Sequence, residues 1–341
     1  MANETKGVFT LQDVRDRNLD PALDGIWPKA GTNRRFYAWY MSPGSSGVNR
    51  YNFTTETDSS RGPISSARSQ NAGVSNATDG WFGGNDPGSW PVPQNVANGT
   101  QVDRVIFSTD LGTGVAKGGL ARGRRALSAM GNVTDAWFVG GNYDNAPLNR
   151  QSSVDRIIYA SDTANAVAKG DLTAGPYWCA AFGNTTDGWV AGGSGLYPGG
   201  TPGSYANFSY VQRIIFASDT ATPVTKGNLA QVTWRCGGSS PFESSTSGYV
   251  TGGTDGVDVI STVTRVTFSS DTATSVNKGP LTSANQYNTS AGSPSSLWVF
   301  LGGTRTTVNR IIFATDTATA TSRGPTTSSG YYKRATNGAI S

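Results

Sequence analysis

The chain has 341 residues, a formal net charge of +4, 44 glycines, nine tryptophans, two cysteines and no histidine. The absence of histidine removes the commonest general base and the commonest transition-metal ligand. Lys and Arg recur at fixed intervals instead of clustering, which argues against a nucleic-acid surface, and no segment is apolar enough for membrane insertion.

In chain order, residues 1–33 are a polar leader, MANETKGVFTLQDVRDRNLD and onward, with no apolar core of a signal peptide. They are read as an arm whose scattered apolar side chains (Phe9, Leu11, Val14, Leu19, Leu23, Ile26, Trp27) dock onto something larger. Residues 34–341 form one repeat array. It opens with RRFYAWY, carrying Trp39, and with a worn copy of the repeat from Arg50 to Arg61. Five fuller copies follow: RVIFSTDLGTGVAKGGL from Arg104, RIIYASDTANAVAKGDL from Arg156, RIIFASDTATPVTKGNL from Arg213, RVTFSSDTATSVNKGPL from Arg265 and RIIFATDTATATSRGP from Arg310. Each puts Asp six residues after its Arg (Asp110, Asp162, Asp219, Asp271, Asp316) and a basic residue thirteen after it.

Between the copies an aromatic residue leads into a glycine pair, as in GWFGG, AWFVGG, GWVAGG and GYVTGG. Four strands account for one unit. The first is of small residues (SARSQNAGV, RALSAMG, CAAFG), and the second is the aromatic run ending in Gly-Gly. The third is V-x-R-I-I-F, and the fourth is V-x-K-G-x-L. A four-stranded antiparallel unit of about 50 residues, repeated, is a propeller blade. The chain stops 18 residues after Arg323, where a first strand ends, and the missing second strand stands at the other terminus as RRFYAWY. The expected fold is therefore all-β: six blades closed by pairing of the N- and C-terminal strands, which removes the exposed sheet edges.

Trp39, Trp81, Trp137, Trp189, Tyr249 and Trp298 fall at one position per blade and are expected to pack between blades. Cys179 and Cys236 are equivalent positions of neighbouring repeats, expected as small buried fillers and not as a disulfide. The repeated Asp offers one carboxylate per turn, too few for calcium, and is assigned to capping its own turn. The repeated Arg and Lys are assigned to inter-strand or inter-blade pairs. No catalytic or metal-ligating set emerges, and no cofactor is expected.

Variation is concentrated after Gly-Gly. From there to the next Arg the step is 20 residues after Gly84 and after Gly193, 15 after Gly141, and 7 after Gly303. The long loops carry Trp90, Tyr143, Tyr197, Tyr205, Phe208 and Tyr210 among Asn, Gly and Pro, a composition suited to sugar or protein contact. These six are the candidate ligand or receptor contacts, toward either a host surface or a neighbouring subunit. Chain direction puts them on one face of the ring and both termini on the other.

The strand order resembles the kelch repeat, with Lys-Gly where kelch repeats carry an outer-strand Trp. The wording V-x-R-I-x-F-x-S-D-T-A-T-x-x-x-K-G-x-L resembles repeats in structural proteins of tailed phages, notably those of marine cyanobacteria. GVFTLQDVRDRNLD followed by IWP is similar to the start of such virion proteins. The stretch from Ser108 to Gly114 also resembles the Asp box of sialidases, without its terminal Trp, and Asp boxes are structural turns. The resemblance implies a non-enzymatic virion component of tail, baseplate or fibre. It would be made in the host cytoplasm, with other virion structural proteins and a host-surface glycan or protein as partners. The alternative is a free-standing lectin or a kelch-type interaction adaptor.

Overall fold

A computed structural model describes residues 36–86, 99–142, 151–196, 205–239, 246–330 and 333–338. The array folds as six four-stranded antiparallel blades in a ring, as the repeat predicts. Blade 2 is typical: Ala72–Ser75 lies innermost, then Asp79–Gly83, Val102–Ile106 and the outer Val115–Ala116. Blade 4 inserts a small hairpin, Ser194–Leu196 with Tyr205–Asn207, between its second and third strands.

The ring closes through its ends. Tyr37–Met41 is the second strand of blade 1, and Arg334–Gly338 pairs beside it as the inner strand, with Tyr40 opposite Ala335 and Met41 opposite Arg334. The same terminal strand also pairs in parallel with Ala72–Ser75 of blade 2, joining eight strands into one sheet. This second tie was not expected. It follows from convergence of the inner strands on the axis, where Gly73 lets the carbonyl of Ala335 approach to a distance no Cβ would tolerate.

Convergence also dictates the composition of the inner strands. Ala72, Ala129, Cys179, Ala181, Cys236, Gly237 and Ala335 surround an axial cavity of about 20 Å³, room for roughly one water. Both cysteines are buried and are not joined in a disulfide, as anticipated.

The third strand of blades 2 to 6 ends in a single 3₁₀ turn, Phe107–Thr109 in blade 2 and Tyr159–Ser161 in blade 3. That turn carries an aromatic residue and then, directly after it, the repeated Asp. Its role becomes clear only between blades.

Candidate recognition face

Each Trp of a second strand is buried at the interface with the following blade, 0–2% exposed, and Tyr249 occupies the same place in blade 5. Its ring stacks on the aromatic residue of the next blade's 3₁₀ turn: Trp39 on Phe107 at 3.7 Å, Trp81 on Tyr159 at 4.0 Å, Trp137 on Phe216 and Trp189 on Phe268 at 3.8 Å. The Asp of that turn accepts the indole N–H. Trp137 Nε1 lies 2.9 Å from Asp219, and Trp39, Trp81 and Trp189 do the same to Asp110, Asp162 and Asp271.

Two cations of the preceding blade complete the latch. Asp219 meets Arg156 at 3.4 Å and Lys169 at 3.2 Å. Asp162 meets Arg104 and Lys117, Asp271 meets Arg213 and Lys226, and Asp316 meets Arg265 and Lys278. The carboxylates assigned from sequence to capping their own turns are thus turned toward the neighbouring blade. Capping is corrected to inter-blade latching, because a buried indole N–H and two cations need an acceptor there more than an exposed turn does. Tyr249 joins the scheme through its hydroxyl, which donates to Asp316 at 2.9 Å; burial, then that bond to Asp316, raises its pKa.

The glycine after each Lys belongs to the same contact. Gly170 N–H donates to the Asp219 carbonyl at 2.8 Å, and a Cβ on Gly170 would strike the Ala221 carbonyl. The repeated charges of the turns are engaged in these contacts, and the opposite face of the ring is where the blades differ.

On that face the fourth strand of one blade returns to the inner strand of the next. Just before the inner strands of blades 2 to 6 stands a non-glycine residue in the left-handed region: Gln70, Ala126, Trp178, Arg235 and Tyr287, with φ of 54°, 54°, 55°, 57° and 59°. Their amides form a chain around the axis: Ala126 N–H donates to Gln70 O, Trp178 to Ala126, Arg235 to Trp178 and Tyr287 to Arg235, at 2.7–2.9 Å. Each such conformation costs a non-glycine residue on the order of 1 kcal/mol or more. In a chain so rich in glycine, none of these five positions uses it, although glycine would adopt the conformation without penalty.

In blades 3, 4 and 5 the residue before this position anchors the long loop of its own blade. Arg125 pairs through its backbone with Asn142, Tyr177 with Ser194 and Trp234 with Thr254, in each case at the base of the segment after Gly-Gly. Two buried arginines fasten the loop roots of blades 2 and 3. Arg68 pairs with Asp103 and donates to Phe82 O and Gln101 O. Arg124 pairs with Asp155 at 2.7 Å and donates to Gly140 O and Ser153 O. Burial lowers both guanidinium pKa values, and the carboxylates oppose that shift.

The annulus has two unlike halves. Over blades 2 and 3 its side chains are polar and mutually satisfied, Arg125 pairing with Asp86 at 2.9 Å and Gln70 also donating to Asp86. Over blades 4 to 6 it is aromatic. Trp178 packs edge-on against Tyr287 at 5.2 Å, and Tyr177 lies 5.9 Å from Trp234. The Arg235 guanidinium sits 3.8 Å from the Trp234 ring and 4.8 Å from the Tyr287 ring.

Of the six residues singled out from sequence, Trp90, Tyr143 and Tyr197 lie outside the described residues. Tyr205 is in the hairpin of blade 4, opposite Leu196. Tyr210 is half-buried at the start of a third strand. Phe208 is corrected: at 3% exposed it supports the hairpin from beneath, against Gly195, and presents no ring to a ligand. The arm residues Phe9, Leu11, Val14, Leu19, Leu23, Ile26 and Trp27 also lie outside the described residues. Sequence reasoning missed Trp178, Trp234, Arg235 and Tyr287. Their signal was present: they stand eight or nine residues after each repeat's basic residue, a constant register with changing side chains.

Among known proteins, no family model matches the chain and no curated protein aligns with it significantly.

Proposed function

We propose that the protein is a non-enzymatic recognition module borne on a larger particle. The particle face of the ring is the one carrying the 3₁₀ turns, and the recognition face is the one carrying the long loops and the annulus. The observation that carries this reading is the opposition of the two faces. The first strand starts at Tyr37 and the terminal strand ends at Gly338, both on the turn side, where Phe53 N–H donates to Phe36 O. The loop roots and the varied aromatic annulus are on the other side. A rigid ring with its connection at one face and its variation at the other suits attachment. The sequence resemblance makes the particle a tailed-phage virion, in which residues 1–33 dock on other structural proteins.

Removal of residues 1–33 is expected to leave a folded propeller that no longer joins particles. Trp90→Ala and Tyr205→Ala are expected to leave incorporation intact and weaken attachment of assembled particles to host cells. The reading fails if the loop substitutions abolish incorporation while assembled particles attach as before.

A further inference from the structure

The two halves of the annulus differ in one respect that bears on what is recognised. The blade 2 and 3 half is electrostatically closed, since Arg125 has Asp86. In the aromatic half Arg235 has no carboxylate partner among the described residues; its Nη1 donates to Gln286 Oε1 at 3.2 Å. Its guanidinium lies over the Trp234 and Tyr287 rings. Among the described residues, most of its five N–H donors are unused and its charge is uncompensated. The Trp234 indole N–H, beside it, is buried and has no hydrogen-bond acceptor among the described residues.

The backbone adds an independent argument. Arg235 occupies a left-handed position where glycine would be unstrained, and the neighbouring blades tolerate chemically unrelated side chains there, from Ala126 to Trp178. The scaffold therefore sets the backbone at this position and leaves the side chain open. Trp234, Arg235 and Gln286 are all partly exposed, whereas Trp178 and Tyr287 are buried behind them as a fixed support. The exposed layer combines an aromatic ring, on which the apolar face of a pyranose stacks, an amide, and a cation presented as a planar fork.

We infer that the Trp234–Arg235–Gln286 corner of the annulus is a binding site for a carboxylate-bearing sugar, such as a uronic acid residue of a surface polysaccharide. The sugar face would lie against Trp234 and its carboxylate would accept from Arg235. The inference rests on the reading of this face as the recognition face, and it narrows the ligand from any surface glycan or protein to an acidic saccharide. An unneutralised arginine beside aromatic rings favours a carboxylate over a neutral sugar because the charge-assisted bond is the stronger one.

The test is calorimetric titration of the full chain with glucuronic-acid-containing oligosaccharides and with the same oligosaccharides after reduction of the carboxyl groups. The acidic form is expected to bind at least about tenfold more tightly than the reduced form. Arg235→Gln should erase that preference, and Trp234→Ala should weaken both forms. If Arg235→Gln lowers the melting temperature so far that binding cannot be read, Arg235→Lys keeps the charge but loses the fork, and should cost affinity for the acidic form alone. Equal binding of the two forms, a preference that survives Arg235→Gln, or no binding of either form overturns the inference. Equal binding that is lost in Trp234→Ala would do so while leaving the recognition reading standing. That reading falls separately, on the attachment assay with assembled particles.

Discussion

The five junctions between consecutive blades and the sixth, where blade 6 meets blade 1, solve the same problem by different means. At the five, one buried Asp collects an aromatic donor and two cations, and its side chain is only 5–7% exposed. At the sixth, Glu56 stands in the place of Asp, 26% exposed, with Arg323 at 3.4 Å and Arg310 at 3.9 Å. Trp298 donates to Ser293 of its own blade, and its stack on Phe53 opens to 4.9 Å. The closing junction is weaker in side-chain electrostatics, and the strand that the chain enters after crossing it is woven into blades 1 and 2. It has its own polar knot: Asp58 receives the Tyr40 hydroxyl, the Thr327 N–H at 2.6 Å and the Thr327 hydroxyl at 2.7 Å. Covalent continuity holds the five junctions together in any case, so a latch there only sets the angle between blades. At the sixth the chain also runs on, from Arg323 of blade 6 into the terminal strand, but that strand is joined to the rest of blade 1 by pairing alone, and strand pairing there takes the place of a connecting turn.

The largest effect should therefore come from deleting residues 325–341. That removes the inner strand of blade 1, uncovers the edges of Tyr37–Met41 and Ala72–Ser75, and exposes the packing around Tyr40 and Phe300. The melting temperature by calorimetry is expected to fall by about 10 °C or more. A truncated chain melting within a degree or two of the full one would show that the woven strand does not hold the ring. At an internal junction, Asp219→Ala leaves the Trp137 indole, Arg156 and Lys169 without their shared acceptor. Breaking such a buried network costs about 3–5 kcal/mol, read from urea denaturation.

The closing junction also carries a buried lysine that titrates. Lys333, fully buried beside the terminal strand, donates to Arg305 O and to Thr326 Oγ1, both at 2.9 Å, and burial pushes its pKa down from 10.5 to about 8. The folded chain therefore binds fewer protons here than the unfolded chain between pH 8 and 10.5. Stability should rise with pH across that interval and be penalised by a constant amount below pH 8. The slope is about 1.4 kcal/mol per pH unit, and the window ends near pH 10, where tyrosines of the unfolded chain begin to ionise. Lys333→Met should flatten this rise. An unchanged slope in the variant would place the titration elsewhere.

Much of this molecule is legible in the repeat. The Arg-to-Asp spacing, the glycine pairs and the split blade follow from the sequence because a blade is a local unit whose strands pair within about 50 residues. What escapes is what one repeat does to the next. Asp219 looks like a turn residue when read beside Ala217 and Ser218; its partner Trp137 is 82 residues earlier. The aromatic annulus escapes for the same reason: Trp178, Arg235 and Tyr287 come together only because equivalent positions converge on an axis. The long loops drew attention by their length, yet Phe208 within one of them is core. Burial there is set by Gly195 of the hairpin strand packed against it, which no composition reveals.

The smallest effect sharpens the comparison most. Glu56→Ala removes the carboxylate of the closing junction in the way Asp219→Ala removes that of an internal one. Glu56 holds no indole donor, however, and Arg310 and Arg323, about 30% exposed, keep access to water once it is gone. No buried donor is orphaned, and an ion pair open to solvent contributes about 0–1 kcal/mol. The urea midpoint of Glu56→Ala should therefore lie close to that of the parent and shift little further in high salt, while that of Asp219→Ala falls well below both. A loss above about 2 kcal/mol from Glu56→Ala would mean that the sixth junction is latched like the rest, and that the woven strand is not what distinguishes it.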